Sequence, residues 1–296
     1  KQMLTLARAL SRYPKLLILD EPTSALSQAE VDRLFEVIRR LRDSGVAILY
    51  VSHRLGEIES LADNLVVLRD GAILGEQHAP FDWDVALTHM LGEQAIREMA
   101  DFQERRGSEV CLSMKSIRLF QRSEPFDLGV FKGEVLGVVG LLGSGKSELA
   151  RGIYGADKFL NGSMELGGVT FQPSTPAAAI KKKVYLIPED RAAESMLPGW
   201  SIARTISLPF LNQFSSGSVL SFTAERAEGQ RIIEDLGVVA TGTDQDVDAL
   251  SGGNQQKIVV GRWLQGNPQL LLLDEPFRGV DIGARREISR KARSVA

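Results

Sequence analysis

The 296-residue sequence has a single cysteine and no long apolar run. One cysteine excludes an internal disulfide, and the neighbours Val110 and Leu112 predict that Cys111 is a small buried residue. A bilayer-spanning helix needs about 18 consecutive apolar residues, so any role at a membrane must come through a partner. Strong charge is also lacking: 35 basic and 38 acidic residues give a net charge of −3, which argues against a general affinity for nucleic acid or anionic lipid.

What remains is an ordinary composition for folded domains. The sequence is 44% hydrophobic and 25% charged, and its length fits about two domains. We place a first domain at residues 1–95, a charged linker at 96–108 and a second domain at 109–296. The first half of the linker fits equally well as a solvated helix of the first domain.

A glycine-rich segment, residues 140–147, follows the apolar run Val135–Val139 and precedes a helix-forming stretch. The order strand, glycine loop and helix predicts a phosphate-binding loop. In such a loop main-chain N–H groups surround phosphate oxygens, Lys146 reaches the terminal phosphates and Ser147 can hold Mg²⁺. The predicted loop residues are Gly140, Leu141, Leu142, Gly143, Ser144, Gly145, Lys146 and Ser147. The alternative is a glycine turn beside a surface lysine.

An internal repeat relates the two ends of the sequence. With an offset of 254 residues and no gaps, the segment Leu16–Pro22 aligns with Leu270–Pro276, and both end in Asp-Glu-Pro. The repeat predicts two copies of one domain type. We expect both copies to be incomplete, because the first lacks a phosphate loop and the second stops before the counterpart of residues 43–95.

The repeated segment is an apolar strand followed by two carboxylates. Leu16–Leu19 is predicted to be a parallel strand buried on both faces, with Asp20 and Glu21 at its carboxyl end. In the second copy, Asp274 and Ser147 are expected to hold Mg²⁺, while Glu275 polarises the attacking water. Asp20 has the corresponding metal role in the first copy. The alternative is a pair of helix-capping acids.

Further elements follow from hydrophobic periodicity and turn residues. We predict helices at residues 4–10, after the capping box Ser27–Glu30, and near 54–62, and a helical subdomain at about 200–248. A hairpin is predicted around Asp70-Gly71. The remaining predicted strands are Val46–Val51, Glu109–Ile117, Gly133–Val139 and Lys183–Ile187.

A second candidate phosphate site begins at Leu250, in the sequence Leu-Ser-Gly-Gly-Asn-Gln. Ser251, Gly252 and Gly253 open a helix and expose main-chain N–H groups. One domain rarely needs two such sites for one nucleotide. The plain interpretation is an N-cap with a flexible turn.

These motifs together resemble the ATP-binding cassette ATPases. More narrowly, the two fused copies, the segment Pro188–Arg191 and the run Asp274–Asp281 are similar to the ATP-binding subunit of bacterial carbohydrate importers of the ribose, galactose and xylose type. The resemblance implies an α/β fold, a P-loop cassette with a mostly parallel sheet core and an inserted helical subdomain, here as two tandem truncated copies. It also implies cassettes that pair head to tail, so that each ATP lies between one phosphate loop and the other cassette's signature.

The resemblance assigns roles to matching residues. Glu275 and Glu21 become the catalytic glutamates, and His53 becomes the switch histidine of the first copy's site. Glu189 stands where most cassettes have a glutamine that senses Mg²⁺, and Asp281 matches the intercassette aspartate. The implied signature residues are Ser251, Gly252, Gly253, Asn254 and Gln255.

The implied activity is ATP hydrolysis that energises sugar import, with ATP and Mg²⁺ as cofactors. The implied partners are a permease, which contacts the helical subdomain and residues 189–209, and, indirectly, a periplasmic sugar-binding protein. The implied location is the cytoplasmic face of the bacterial inner membrane, with no nucleic acid as partner. Two alternatives are a soluble cassette ATPase of DNA repair or translation and a non-hydrolysing regulatory module. We expect the chain alone to bind ATP weakly and hydrolyse it slowly. The sequence does not identify the sugar.

Overall fold

The computed structural model describes residues 14–23, 26, 28–52, 54–69, 71–92, 107–141, 143–280 and 282–295. It divides into two compact units, Lys1–Gln103 and Glu104–Ala296. The predicted helix at residues 4–10, the cap residue Ser27 and most of the predicted linker lie outside the described residues. Within the described ranges, every helix is too short or too polar to cross a bilayer.

Unit 1 contains a parallel strand pair beside a long amphipathic helix. Strands β1 (Leu16–Asp20) and β2 (Ala47–Val51) pair in parallel, with Leu17 opposite Ile48. Helix α1 (Gln28–Asp43) buries one apolar stripe against β1 because its apolar residues recur at helical spacing. The core residues of this packing are Leu17, Val31, Leu34, Phe35 and Ile38.

The rest of unit 1 follows the predicted order. Helix α2 spans Leu55–Leu61, strands β3 (Asn64–Arg69) and β4 (Ala72–His78) form an antiparallel hairpin, and helix α3 spans Trp83–Leu91. Asp82 caps α3 by accepting a hydrogen bond from the main-chain N–H of Val85 at 3.1 Å. The predicted hairpin and the predicted helix near 54–62 are therefore present, whereas α3 was not predicted, and Asp70 itself lies outside the described residues.

The predicted burial of strand β1 on both faces is wrong, and β2 is exposed on one face as well. Leu16 is 54% exposed and Ile18 is 60% exposed, while Leu17 between them is buried. On β2, Leu49 and Val51 are also exposed. A continuous apolar run predicts cover on both faces, but among the described residues α1 covers only one face of this pair.

Unit 2 begins with an antiparallel sheet of four strands, β5 (Val110–Arg118), β6 (Phe126–Phe131), β7 (Asn161–Leu166) and β8 (Val169–Thr170). Their order across the sheet is β6-β5-β7-β8. One face packs against helix α4 (Lys146–Tyr154) through Leu149 and Ile153. Cys111 on β5 is buried and unpaired, as predicted, and its thiol donates to the carbonyl of Gln269 at 3.3 Å.

A second, parallel strand pair divides the core of unit 2. After helix α5 (Pro176–Lys181), strand β9 (Val184–Ile187) pairs in parallel with β12 (Leu270–Leu273), and Tyr185 lies opposite Leu271. Side chains of the pair alternate between two cores because strand side chains point to opposite faces. Val184, Leu270 and Leu272 belong to the core with the antiparallel sheet, whereas Tyr185, Ile187, Leu271 and Leu273 face the helices.

The helical subdomain has the predicted position, but it contains 3₁₀ turns and a short strand pair as well as helices. It contains helices α6 (Arg191–Glu194), α7 (Ile202–Ser207) and α8 (Phe222–Asp235), and 3₁₀ turns at Leu208–Gln213 and Val247–Ala249. The small antiparallel pair β10 (Ser215–Ser216) and β11 (Val219–Leu220) was not predicted. Helix α9 (Gly252–Leu264) packs beside α7, and α10 (Ile282–Val295) follows β12. In the core between the parallel strand pair and the helices, the ring of Tyr185 stacks on the ring of Trp263, with 5.0 Å between the ring centroids.

The strand predicted at Gly133–Val139 is not formed. Residues 134–141 have no regular secondary structure, and Val139 is 93% exposed. A parallel strand exists only through hydrogen bonds to a neighbouring strand. This segment pairs with no strand among the described residues, so it leads into the glycine loop as irregular chain.

Candidate functional site

The glycine loop ends where helix α4 begins, at Lys146. Gly143 and Gly145 have φ values of 77° and 98°, in the left-handed region that glycine adopts without strain. A Cβ atom on Gly145 would lie 2.8 Å from the Leu119 side chain. The left-handed backbone therefore favours glycine at Gly145, and any larger residue would also have to displace the Leu119 side chain. Leu142 lies outside the described residues, and Leu141 is largely exposed.

Lys146 connects the loop to the acidic pair after β12. Its Nζ donates to the carbonyl of Gly140 at 2.6 Å and lies 3.5 Å from Glu275 Oε1. The main-chain N–H groups of Lys146 and Ser147 stand in the first turn of α4 and have no acceptor among the described residues. A helix N-terminus, a lysine ammonium and exposed amides together form an anion-binding site.

Ser147 and Asp274 meet at the base of the loop. Asp274 is only 8% exposed, and the Ser147 side chain is close enough to influence its ionisation. Burial raises the pKa of Asp274, the neighbouring Ser147 side chain lowers it, and the nearby charge of Glu275 raises it again. The net direction is upward. The two residues are therefore neighbours, and their expected role as metal ligands stays a prediction.

A hydroxyl and a carboxylate side by side suit Mg²⁺, which prefers oxygen ligands and takes the remainder from substrate phosphates and water. Groups of three or more His, Cys, Asp and Glu side chains able to hold a metal by themselves are absent from the described residues. The pair Ser147 and Asp274 therefore fits a metal that arrives with a phosphate ligand.

Glu275 and its counterpart Glu21 share an unusual backbone. Their φ values are 43° and 45°, left-handed for residues that are not glycine. Both residues lie within two positions of the end of a strand, where this backbone conformation turns the chain. The N–H of Glu21 donates to the carbonyl of Val51 at 2.9 Å, which ties this turn to the end of β2. Asp20 is exposed at the end of β1, and His53 lies outside the described residues.

The second candidate phosphate site is the start of α9. Ser251 is the N-cap residue, but its side chain caps no helix N–H and instead accepts from Asn254 Nδ2 at 3.0 Å. Asn254 Oδ1 accepts from the N–H of Val239 at 3.1 Å. The first N–H groups of α9, at Gly252 and Gly253, have no acceptor among the described residues. They are thus available to an anion.

Glu189, which stands where most cassettes have a glutamine, has a charged partner in the structure. Its carboxylate forms an ion pair with the guanidinium of Arg278. Asp281, a predicted site residue three positions after Arg278, lies outside the described residues. Sequence reasoning missed Arg278 because an arginine in a polar loop carries no spacing signal.

A buried carboxylate in unit 1 was also missed. Glu57 on α2 is 7% exposed and accepts hydrogen bonds from Thr23 Oγ1 at 2.6 Å and Tyr50 OH at 2.8 Å. Ser52 Oγ donates to the same carboxylate at 3.0 Å, and Arg54 Nη1 at 3.3 Å. Glu57 therefore joins the chain after Glu21 to the chain on both sides of residue 53. Helical periodicity could not reveal this, because Glu57 is one of two glutamates on a short helix.

Comparison with known proteins gives matches over most of the sequence. The sequence pattern of a family described as ABC transporter matches residues 124–278. A ribose import ATP-binding protein of Bacillus cereus is 38% identical over 289 residues, covering 97% of this chain and 58% of that protein. An arabinose import ATP-binding protein of Rhizobium etli is 39% identical over 292 residues, with coverages of 97% and 58%. A putative ribose/galactose/methyl galactoside import ATP-binding protein of Agrobacterium fabrum is 36% identical over 293 residues, with coverages of 98% and 58%.

The chain thus spans less than two thirds of the length of these curated relatives. Among solved structures, an ATP-binding cassette of an ABC transporter has a TM-score of 0.53 at 21% identity, covering 64% of this chain and 78% of that one. A dimeric ATP-binding cassette in a post-hydrolysis state, bound to ADP and Pi, has a TM-score of 0.52 at 19% identity, with coverages of 61% and 81%. At these identities the similarity concerns the fold.

Proposed function

The chain belongs to the ABC transporter family, and from that membership we propose that it binds and hydrolyses ATP to energise import of a sugar through a membrane permease. The observation that carries the proposal is the meeting of Lys146, Ser147, Asp274 and Glu275 at the start of α4. These four side chains supply the charge, metal ligands and water-polarising carboxylate that phosphoryl transfer to water requires.

Ser147 and Asp274 hold Mg²⁺ in this proposal. Bound by these two side chains, the ion would supply positive charge against the phosphate oxygens on which charge develops during hydrolysis. Lys146 exchanges its contacts with Gly140 and Glu275 for the terminal phosphates, since a phosphate is the stronger partner for its ammonium. Glu275, released from Lys146, accepts a hydrogen bond from the attacking water and orients it.

The two units are proposed to be parts of two tandem cassettes. This is supported by the 254-residue repeat, the parallel strand before each Asp-Glu pair and the matching φ values of Glu21 and Glu275. Asp20 and Glu21 then have the metal and catalytic roles in the other ATP site, with His53 as its γ-phosphate contact. Ser251, Gly252 and Gly253 bind the phosphate of a nucleotide held by the paired cassette, and Asp281 lies between the cassettes.

The permease is proposed to dock on the segment of residues 189–209 and the helical subdomain. Trp200 and Ser201 are half-buried there, at the entrance to α7. The proposed assembly lies on the cytoplasmic face of the bacterial inner membrane and receives its sugar, through the permease, from a periplasmic binding protein. The relatives' names, which mention ribose, galactose and arabinose import, support a sugar as the cargo.

The test measures binding and hydrolysis of ATP with Mg²⁺, and then transport. Purified chain is titrated with a fluorescent ATP analogue, and hydrolysis is followed by phosphate release, each with Lys146→Ala as comparison. Transport is tested in a strain that lacks the gene for the full protein, by uptake of radiolabelled ribose, galactose and arabinose. Lys146-dependent binding is expected, together with loss of uptake of one sugar. Binding that is unchanged in Lys146→Ala contradicts the ATP site, and normal uptake of all three sugars contradicts the proposed cargo.

A further inference from the structure

The guanidinium of Arg191 lies where three segments of unit 2 meet. Its Nη1 donates to the main-chain carbonyl of Arg278 at 2.9 Å, and its Nε makes a long hydrogen bond of 3.5 Å to Gln255 Oε1. Its Nη2 is packed against the start of α9, only 2.7 Å from where a Cβ atom on Gly252 would be. One side chain therefore contacts both the loop that follows Glu275 and the beginning of the signature helix.

Arg191 is held by neutral acceptors. None of the carboxylates that the structure describes forms an ion pair with it, and the nearby Glu189 pairs with Arg278 instead. Burial lowers the pKa of Arg191, which nevertheless remains an arginine with a planar, charged fork. A half-buried guanidinium whose donors go to a carbonyl and an amide is fixed in direction by those acceptors.

The loop that Arg191 contacts is continuous with the catalytic carboxylate. The N–H of Arg278 donates to the carbonyl of Glu275 at 3.1 Å, so these residues form one tight turn. At the other end of that turn, Glu275 is paired with Lys146. When a phosphate takes Lys146 away from Glu275, the turn loses one of its anchors. A shift of the turn moves the carbonyl to which Arg191 is bonded.

We propose that Arg191 is a positioning residue that couples the occupancy of the Lys146 site to the geometry of the signature at Gly252–Gln255. This rests on the proposed function, because it assumes that the loop binds MgATP. The fork shape of the guanidinium is essential, since one group must hold the Arg278 carbonyl and the Gln255 amide at the same time. A lysine ammonium retains the charge but cannot span both acceptors in this arrangement.

The experiment is hydrogen exchange, followed by mass spectrometry, on the purified chain with and without MgATP. Peptides covering residues 140–147 report nucleotide binding, and peptides covering 251–256 report the signature. The variants are Arg191→Gln, Arg191→Lys and the control Arg231→Gln. Arg231 is an exposed arginine of α8 whose partners Glu228 and Asp235 lie on its own helix. Thermal melting of each variant checks that the fold is retained.

In the wild type and in Arg231→Gln, MgATP is expected to slow exchange in both regions, with a change at 251–256 on the order of fivefold or more. In Arg191→Gln and Arg191→Lys, the change at 140–147 is expected to persist and the change at 251–256 to disappear.

A signature response that survives in Arg191→Gln overturns the proposal, and full rescue by Arg191→Lys overturns the role of the fork. Absence of any MgATP effect at 140–147 in the wild type overturns the proposed function itself. If Arg191→Gln melts far below the wild type, the melting and exchange of Arg191→Lys decide between a structural and a positioning role.

Discussion

Lys146 Nζ lies 3.5 Å from Glu275 Oε1, so the cation of the phosphate loop is paired with the carboxylate proposed to polarise water. The same ammonium donates to Gly140 within its own loop. Lysine is therefore held over the loop by two internal partners before any phosphate is bound.

Lys146→Ala is expected to weaken MgATP binding by about tenfold or more, since a charge-assisted contact to phosphate contributes about 1.5–3 kcal/mol. Isothermal titration with a slowly hydrolysed ATP analogue measures the effect. The matched control is Lys158→Ala, which removes an exposed lysine of the same unit. Equal affinities of the wild type and Lys146→Ala contradict the prediction.

Glu275→Gln is expected to lower ATP turnover by about a hundredfold or more while retaining MgATP binding, because the amide is a poor proton acceptor. Loss of the carboxylate also frees Lys146, so binding is expected to stay equal or become tighter. Phosphate release and nucleotide titration on one preparation separate the two effects. Glu165→Gln, at an exposed position of β7, is the control. Turnover at the wild-type rate in Glu275→Gln removes Glu275 from the chemistry.

Asp274→Asn is expected to raise the melting temperature at neutral pH by a few degrees. Burial raises the pKa of Asp274 in the folded state above its ordinary value of 3.8. The folded protein therefore holds this proton more tightly than the unfolded chain, and stability falls as pH rises from the unfolded-state pKa through the folded-state pKa. The free energy of unfolding lost through ionisation of Asp274 stays lost at neutral pH. The neutral amide of Asp274→Asn does not ionise and therefore avoids this loss.

The melting curves are recorded from acid to neutral pH for the wild type, Asp274→Asn and Asp63→Asn. Asp63 is an exposed aspartate and serves as the control. The difference in melting temperature between Asp274→Asn and the wild type is expected to grow as pH rises and to vanish at the most acidic pH measured. An advantage that is constant with pH means that the gain does not arise from ionisation of Asp274.

Gly252→Ala is expected to destabilise unit 2 by about 1–3 kcal/mol, the usual cost of overpacking. The added Cβ lies 2.7 Å from Arg191 Nη2 and 2.9 Å from the carbonyl oxygen of Gly279, so a main-chain segment must shift. Urea unfolding measures the cost. Gly129→Ala is the control, because a Cβ there meets nothing within 4 Å. Similar midpoints for both variants contradict the predicted close packing at Gly252.

Glu57→Ala is expected to destabilise unit 1 by about 2–3 kcal/mol, because it leaves the hydroxyl groups of Thr23, Tyr50 and Ser52 without their shared acceptor. Hydrogen exchange of residues 16–51 measures the effect within this unit. Glu59→Ala changes an exposed glutamate on the same helix and is expected to have little effect. Protection factors that are unaltered in Glu57→Ala contradict the importance of the network.

The chemistry of the site could be predicted from sequence because it depends on short, ordered motifs. Lys146, Ser147, Asp274 and Glu275 are brought together as predicted, although 127 residues separate Ser147 from Asp274. The family pattern also covers this region. The roles assigned to all the site residues remain predictions, and His53, Leu142 and Asp281 also lie outside the described ranges.

The wrong predictions, which are the burial of β1 on both faces and the strand at Gly133–Val139, have a common physical cause. An apolar run predicts a buried strand, but burial and strand pairing depend on what lies beside the run. Ile18 and Val139 belong to such runs and are exposed, because the described part of each unit supplies no cover for them. Similarly, the clusters around Arg191 and Glu57 join residues far apart in sequence. Hydrophobic periodicity within a short segment does not predict contacts of that kind.

Cys111 gives unit 2 an internal reporter of its own opening. Its thiol is buried, is the only one in the sequence and bonds to Gln269 just before β12. A thiol reagent can reach it only when the core around β5 opens. The rate of labelling therefore measures how often this part of the protein opens, and a ligand that holds the unit closed should lower that rate without any engineered probe.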